Sequence, residues 1–476
     1  MSDPAKTVTV RLPTRSMGAK LLVVCVLVLL MMIPAFFVSN LLGERAGRAA
    51  EVTNELGELM GGRQTFSGPM LAVPYTAPAH NAADTPAGSV VSGVYLIAPA
   101  QADDVIKTAS EVRKRSLFRT SVYKADLDLK ATFDLTDATR LAPKDAVFDW
   151  TRAEMLVGVS DARGAQSDIT LTIGDRKLQL APASTLSEQP IGGDGSSNPA
   201  AAGGGRPLHM FAAPMAGIAQ PGARFSAEAA FRFTGAQRLA VLATGKTTQV
   251  KISGDWPSPS FDGGFLPAHR EVSDHGFSAD WSIPFIARGV PAEGFPDTLQ
   301  RLGQNALGVS FVEPANPYQS VERSVKYALL FIGLVFLAYF IFETLSDTRV
   351  HPAQYVLIGL AQTIFYLLLL SAAERVGFDA GFLIAAMATV GLISVYAFWV
   401  FASRVRGLQA FAAFSLLYGL IYVLMRLEDT ALLVGAVASF AAIAAVMYFT
   451  RKINWYGVTD SAVGRPTPPV GKTIHG

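Results

Sequence analysis

The chain contains one cysteine, Cys25, in 476 residues. It lies inside an apolar run, so no disulfide can brace the polar part of the chain, which must rely on its own core. Charge is also sparse, at 16% of residues, with 40 basic against 38 acidic side chains and a net charge of +2. That balance leaves no basic footprint for nucleic acid. Signature loops are missing as well: there is no Gly-x-Ser-x-Gly elbow, no phosphate-binding loop, no dinucleotide fingerprint and no cysteine-centred site. No catalytic residue and no cofactor is therefore expected. His269 and His275, with Glu271 and Asp274 between them, match no ligand spacing, so no metal is expected either.

What the chain does have is apolar length. Six runs stand out, at Leu21–Leu42, Tyr327–Leu345, Tyr355–Ala373, Gly381–Phe401, Leu408–Met425 and Leu432–Phe449. A bilayer core of about 30 Å takes roughly 20 apolar residues per helix. The first run exceeds the core of a signal peptide, about 7–15 residues, and is expected to remain as an anchor. Between it and the second run lies a stretch of ordinary soluble composition, long enough to fold as its own domain. The expected class is a polytopic α-helical membrane protein with six spans and a large, mostly-β extracytoplasmic domain between spans 1 and 2. The segments are 1–20 (cytoplasmic), 21–42 (anchor), 43–325 (stalk and β-rich domain), 326–450 (five-span bundle) and 451–476 (cytoplasmic tail).

Orientation follows from Lys and Arg, which mark the cytoplasmic side. Lys6, Arg11, Arg15 and Lys20 precede the first span. Arg349 follows the second, Arg404 and Arg406 the fourth, and Arg451 and Lys452 the sixth. Both termini are thus expected inside and the large domain outside. Arg426 falls on the wrong side, with Glu428 and Asp429 as neighbours.

The β reading of the large domain rests on alternation. Ala125, Leu127, Leu129, Ala131, Phe133 and Leu135 alternate with polar residues, giving one buried and one wet strand face. Phe225, Ala227, Ala229, Phe231 and Phe233 repeat the pattern. Ile169, Leu171 and Ile173 lead through Gly174-Asp175 to Leu178 and Leu180. Leu239, Val241 and Ala243 lead through a turn near Gly245 to Val250 and Ile252. Repeated antiparallel pairs of this kind predict sandwich-like sheets. Glu44–Met60 has helix formers and reads as a stalk. The Gly- and Ser-rich stretch Ile191–Pro207 reads as an inserted loop, and Ser461–Gly476 as a disordered tail.

Several motifs are longer and more specific. Asp255-Trp-Pro-Ser-Pro-Ser-Phe261 with Gly264-Phe-Leu-Pro-Ala-His-Arg-Glu-Val272 resembles the CreD family of inner-membrane proteins, also called the cell-envelope integrity family. Gly158-Val-Ser-Asp-Ala-Arg-Gly164, Pro317-Tyr-Gln-Ser-Val-Glu-Arg-Ser-Val-Lys-Tyr327, Phe342-Glu-Thr-Leu345, His351-Pro-Ala-Gln-Tyr355, Phe365-Tyr-Leu-Leu-Leu-Leu370 and Asn454-Trp-Tyr456 are similar to the same family. The resemblance implies a bacterial inner-membrane protein linked to envelope integrity, colicin tolerance and β-lactam response downstream of a two-component sensor. It carries over no catalytic activity and no binding residue.

Two groups of residues stand as site candidates. Trp256, Pro257, Pro259 and Phe261 combine a fixed backbone with aromatic area, and suit either a rigid corner of the sheet or a docking surface. Glu343, Gln362 and Glu374 are polar groups in or beside the spans and could line an ion or proton path. Asp161 and Arg163 read as a turn with a local ion pair. Arg113, Lys114, Arg115 and Arg119 read as a solvated strand edge or a surface for anionic headgroups or wall polymers. Gly391, Gly407, Gly419 and Gly435 read as helix-contact positions and permit a homo-oligomer. The expected function is non-enzymatic: the exterior domain binds an envelope protein or cell-wall component, and the bilayer holds the rest. The alternative is a transporter or channel with that domain as receptor or cap. A wall or lipid hydrolase is a third reading, for which no residues group together.

Overall fold

The computed structural model describes residues 17–78, 90–115, 118–191, 207–313, 317–344, 350–426 and 431–451. The Gly-rich insert, the tail after 451, Lys6, Arg11, Arg15, Arg349, Glu428, Asp429 and Lys452 lie outside them. The chain forms two units: residues 48–314, and residues 1–47 together with 315–476.

The first apolar run becomes α1 (Met17–Leu30) and α2 (Met32–Glu58). Pro34 has no N–H to give to the carbonyl of Leu30, and the helix slips there, at Met31. Met31 N–H still bonds the carbonyl of Leu27 at 3.0 Å, so the two segments make one 41-residue helix, Gly18–Glu58. The expected helical stalk is its C-terminal part.

In the β-rich unit, β1 (Gln64–Pro78), β2 (Val90–Ile97), β3 (Gln101–Arg115) and β4 (Phe118–Asp134) are long strands. An eight-stranded sheet runs in the order His269–Ser273, Gly276–Ile283, Thr247–Gly254, β3, β4, Arg224–Ala236, Thr170–Ile173, Arg176–Gln179. The second sheet is built around β1, with Glu154–Val159 antiparallel on one side and Arg238–Leu242 parallel on the other. The inner faces share one core: the Phe66 ring of β1 meets Phe231 and Phe233 at 5.9 and 5.5 Å. The alternating residues of β4 point into that core, as expected. The turn at Gly174 adopts φ +56° between paired strands, also as expected.

One expectation needs correction. Arg238–Leu242 and Thr247–Gly254 are not a hairpin: they belong to different sheets, and the turn at Gly245 carries the chain across the sandwich. Alternation fixes which side chains face inward but not which strand is the neighbour. Alternation is also absent from β1, which is buried from Gln64 to Val73. Two short helices, α3 (Phe285–Arg288) and α4 (Asp297–Gln304), lie between the strands Gly276–Ile283 and Leu307–Phe311. Leu299 and Leu302 of α4 cover the second face of the β1 sheet against Met70, Leu156 and Leu242. The compact unit spans 48–314, and α5 (Pro317–Lys326) packs with the helical unit through buried Val321 and Ser324.

The helical unit continues with α6 (Ala328–Thr344), α7 (Pro352–Val376), α8 (Phe378–Phe401), α9 (Arg404–Arg426) and α10 (Ala431–Thr450). Among the described residues four helices are long and apolar enough to cross a membrane: Gly18–Glu58, α7, α8 and α9. A fifth counts only if α6 is joined to Ser320–Lys326 across a 57° bend, and the apolar part of α10, Leu433–Tyr448, is shorter. His351 caps α7 by accepting from Ala353 N–H, while Gln354 returns a bond to the His351 N–H.

Candidate functional site

Glu343 lies one residue before the end of α6 and is buried. Its carboxylate pairs with Lys20 of α1. It also accepts from Val350 N–H at 2.8 Å and from the Tyr355 hydroxyl of α7 at 2.9 Å. The Tyr355 ring packs edge-on against Phe336 and Tyr339 at 5.6 and 5.5 Å. One carboxylate thus ties α1, α6 and α7 together with a cation and two neutral donors, which satisfies a charge that would be costly to bury alone.

The other two polar candidates lie elsewhere along α7. Gln362 is buried, and its amide N–H donates to the carbonyl of Phe331 at 3.4 Å. Its side-chain oxygen has no partner among the described residues. Glu374 accepts from the Tyr318 hydroxyl of α5 at 2.9 Å. At 1.5 Å of rise per residue, Tyr355 and Gln362 are about 10 Å apart along the helix, and Gln362 and Glu374 about 18 Å. Phe365, Leu369 and Leu370 fill the buried face between the last two. The three residues that the sequence suggested as a path are therefore three separate polar contacts.

A cleft of about 550 Å³ lies between α8 and α9, lined by Phe382, Met387, Phe411, Tyr418 and Gly419 with Asp379 at one mouth. Asp379 forms an ion pair with Arg426, and the Tyr422 hydroxyl donates to it at 2.9 Å. The Arg426 guanidinium also sits 5.8 Å from the centre of the Tyr422 ring. Arg426, misplaced by charge counting, pairs with Asp379. Of the four glycines expected at helix contacts, Gly407 is one: a Cβ there would meet Phe398 at 2.9 Å. Gly391 and Gly419 face open space.

In the β-rich unit the Trp256 segment turns inward. The Trp256 ring is buried, its indole N–H donates to the carbonyl of Val312 at 3.0 Å, and it packs edge-on against Phe311. Phe261 is half-buried against Phe277 and Trp281, in a strand paired with Leu307–Phe311. Pro259 starts that strand, and of the four candidate residues Pro257 alone is exposed. The segment is the rigid corner of the two sequence readings, since its aromatic area is used within the fold. Asp161 and Arg163 form the expected turn, with Nη2 of Arg163 2.7 Å from the carboxylate. His269 and His275 are exposed on a hairpin.

Two buried charges escaped the sequence reading. Asp104 is 1% exposed, and neither of its oxygens has a hydrogen-bond partner among the described residues. Burial pushes its carboxyl well above the usual range, and Asp103 and Asp128 push the same way. Both oxygens lie under 4 Å from where a Cβ on Gly68 would be, close to the similarly unpartnered Thr244 hydroxyl. The available signal was parity: Asp104 sits between Ala102 and Ile106 on the inward face of β3. Arg288 is equally buried and donates to the carbonyls of Ala243 and Pro291 at 3.1 and 3.2 Å. Burial lowers its pKa to about 10, so it remains a cation at neutral pH. No pattern in a four-residue helix announces it.

Comparison with known proteins gives a consistent answer over nearly the whole chain. A family profile described as "Inner membrane protein CreD" matches residues 16–456. The Escherichia coli (strain K12) protein of that description is 30% identical over 435 residues, covering 90% of this chain and 91% of that protein.

Proposed function

Because the chain belongs to the CreD family of multi-pass inner-membrane proteins, we propose that it supports the cell envelope without catalysis, by binding an envelope protein or cell-wall component through its β-rich domain on the periplasmic side. The observation that carries this reading is the independence of residues 48–314, which hold two sheets, a shared core and a second core under α4. A domain of that size outside the spans suits recognition more than a linker does.

Six crossings with both termini cytoplasmic complete the proposal. Three polar contacts support it. Lys20 with Glu343 brings the start of α1 level with the end of α6. Tyr318 with Glu374 brings the start of α5 level with the end of α7. Asp379 with Arg426 brings the start of α8 level with the end of α9. Chain ends that alternate in this way are what successive out-and-back crossings require. α6, at 17 residues, is about 26 Å long, short of a core of about 30 Å by itself, so its crossing draws on the bent Ser320–Lys326 turn before it.

The transporter reading has the α8–α9 cleft in its favour and the apolar gaps between Glu343, Gln362 and Glu374 against it. In-cell photo-crosslinking separates the two. A crosslinker placed at Ile286, which is 90% exposed, or at Val147 is expected to capture a specific envelope protein or wall fragment. Absence of any captured species from either position, together with solute flux in reconstituted vesicles, would shift the assignment to transport.

A further inference from the structure

The hairpin formed by β3 and β4 ends in a basic tip that nothing above uses. Residues Glu111 to Arg115 are all exposed, as is Arg119. In the register of the hairpin Lys114 faces Arg119 and Arg115 faces Phe118. Two cations placed opposite one another on a strand pair repel, which favours an external anion between them. Among the described residues neither Lys114 nor Arg119 forms an ion pair. Arg113 reaches Glu111 at 2.6 Å and Arg115 reaches Glu55 at 3.5 Å, but both pairs are open to solvent and easily exchanged. Burial raises the Glu313 pKa, and the nearby cations Arg119 and Lys114 pull it only part of the way back down. Half-buried Phe118 adds an aromatic ring among the bases, a combination common at membrane surfaces.

The position of the tip within its unit matters as much as its charge. Thr53 of α2 donates its hydroxyl to the carbonyl of Arg119 at 3.3 Å, and Ser121 donates to the carbonyl of Phe311 at 2.8 Å. The tip therefore lies beside both places where the chain joins the β-rich unit to its spans: α2, which enters at Arg48, and the stretch after Phe311, which leaves at Pro314.

We propose that Arg113, Lys114, Arg115 and Arg119 form a membrane-contact tip that binds the phosphates of anionic phospholipid headgroups in the adjoining leaflet. Each basic side chain at an anionic surface strengthens contact roughly fivefold, so the tip as a whole reads lipid charge strongly.

The test uses the full-length protein with Cys25 replaced by Ser and a reporter fluorophore on Val112→Cys. Val147→Cys serves as control, because its partner Thr76 lies 12 residues along β1 from Gln64, about 40 Å away. In vesicles rich in phosphatidylglycerol the Val112 label is expected to be several-fold less accessible to aqueous iodide than in phosphatidylcholine. The control label should be equally accessible in both. The combined R113Q, K114Q and R115Q variant, whose exposed positions leave the core intact, should remove the difference, as should high salt. Equal accessibility in the two lipids would overturn the proposal. So would protection that persists in the variant, since contact would then owe nothing to these charges.

Discussion

At Asp104 the fold sets a carboxyl group on the inward face of a strand with nothing to share its charge. The unfolded chain releases that proton near pH 3.9, while the folded domain holds it to higher pH. The folded state therefore binds more protons, so stability is fullest below the unfolded pKa and falls as pH rises towards the folded one, by at most about 1.4 kcal/mol per unit. Asp104→Asn removes this dependence and leaves the shape. Its thermal midpoint should exceed that of the wild type at pH 7, with a gap that opens as pH rises above the unfolded value near 3.9 and closes near pH 3. A gap that did not change with pH would show that Asp104 has found a counter-charge. Glu343 is the opposite case, because its charge is fully met. Lys20→Met alone should cost about 3–5 kcal/mol by leaving the Glu343 charge buried and unpaired, and Glu343→Gln less, because Lys20 is partly exposed. The double variant should cost much less than the sum, as measured by unfolding in mixed micelles. Additive losses would mean that the pair does not couple.

At the scale of elements, the Trp256 corner and the Gly359 crossing show how much depends on close packing. Trp256→Ala removes a buried ring that joins the strand Pro259–Gly263 to the end of Leu307–Phe311 and should cost about 3–5 kcal/mol. Pro257→Ser, on the exposed side of the same corner, should change the melting temperature little. Equal effects would argue that the corner is not part of the core. In the helical unit, a Cβ on Gly359 of α7 would meet Met31 and Phe336 at under 3 Å. Gly359→Leu should therefore cost about 1–3 kcal/mol by overpacking, whereas Gly419→Leu, beside the open cleft, should be tolerated. The reverse order in a micelle unfolding series would contradict the packing. These two glycines look alike in sequence. Only the neighbour that each helix meets tells them apart.

For the whole molecule, topology is the property to test. With Cys25 replaced, single cysteines at Val147 and at Arg404 should differ in intact cells. The first should react with an impermeant maleimide added outside, and the second only after the membrane is opened. Labelling of Arg404→Cys from outside would reverse the orientation.

Much of this layout was written in composition. Apolar runs are set by the thickness of a bilayer, and the strict alternation of β4 is set by a sheet with one face on the core, so both can be read residue by residue. The continuous stalk and the Asp161–Arg163 turn are local for the same reason. The neighbours were not local. The Gly245 turn crosses between sheets, β1 is covered on its second face by α4, and Trp256 turns inward because a strand from Leu307 arrives beside it. The partners of Glu343 and Arg426, at Lys20 and Asp379, lie 323 and 47 residues away along the chain. Long-range pairing depends on which buried groups must satisfy one another once the elements are packed, and that choice is made only in the assembled fold.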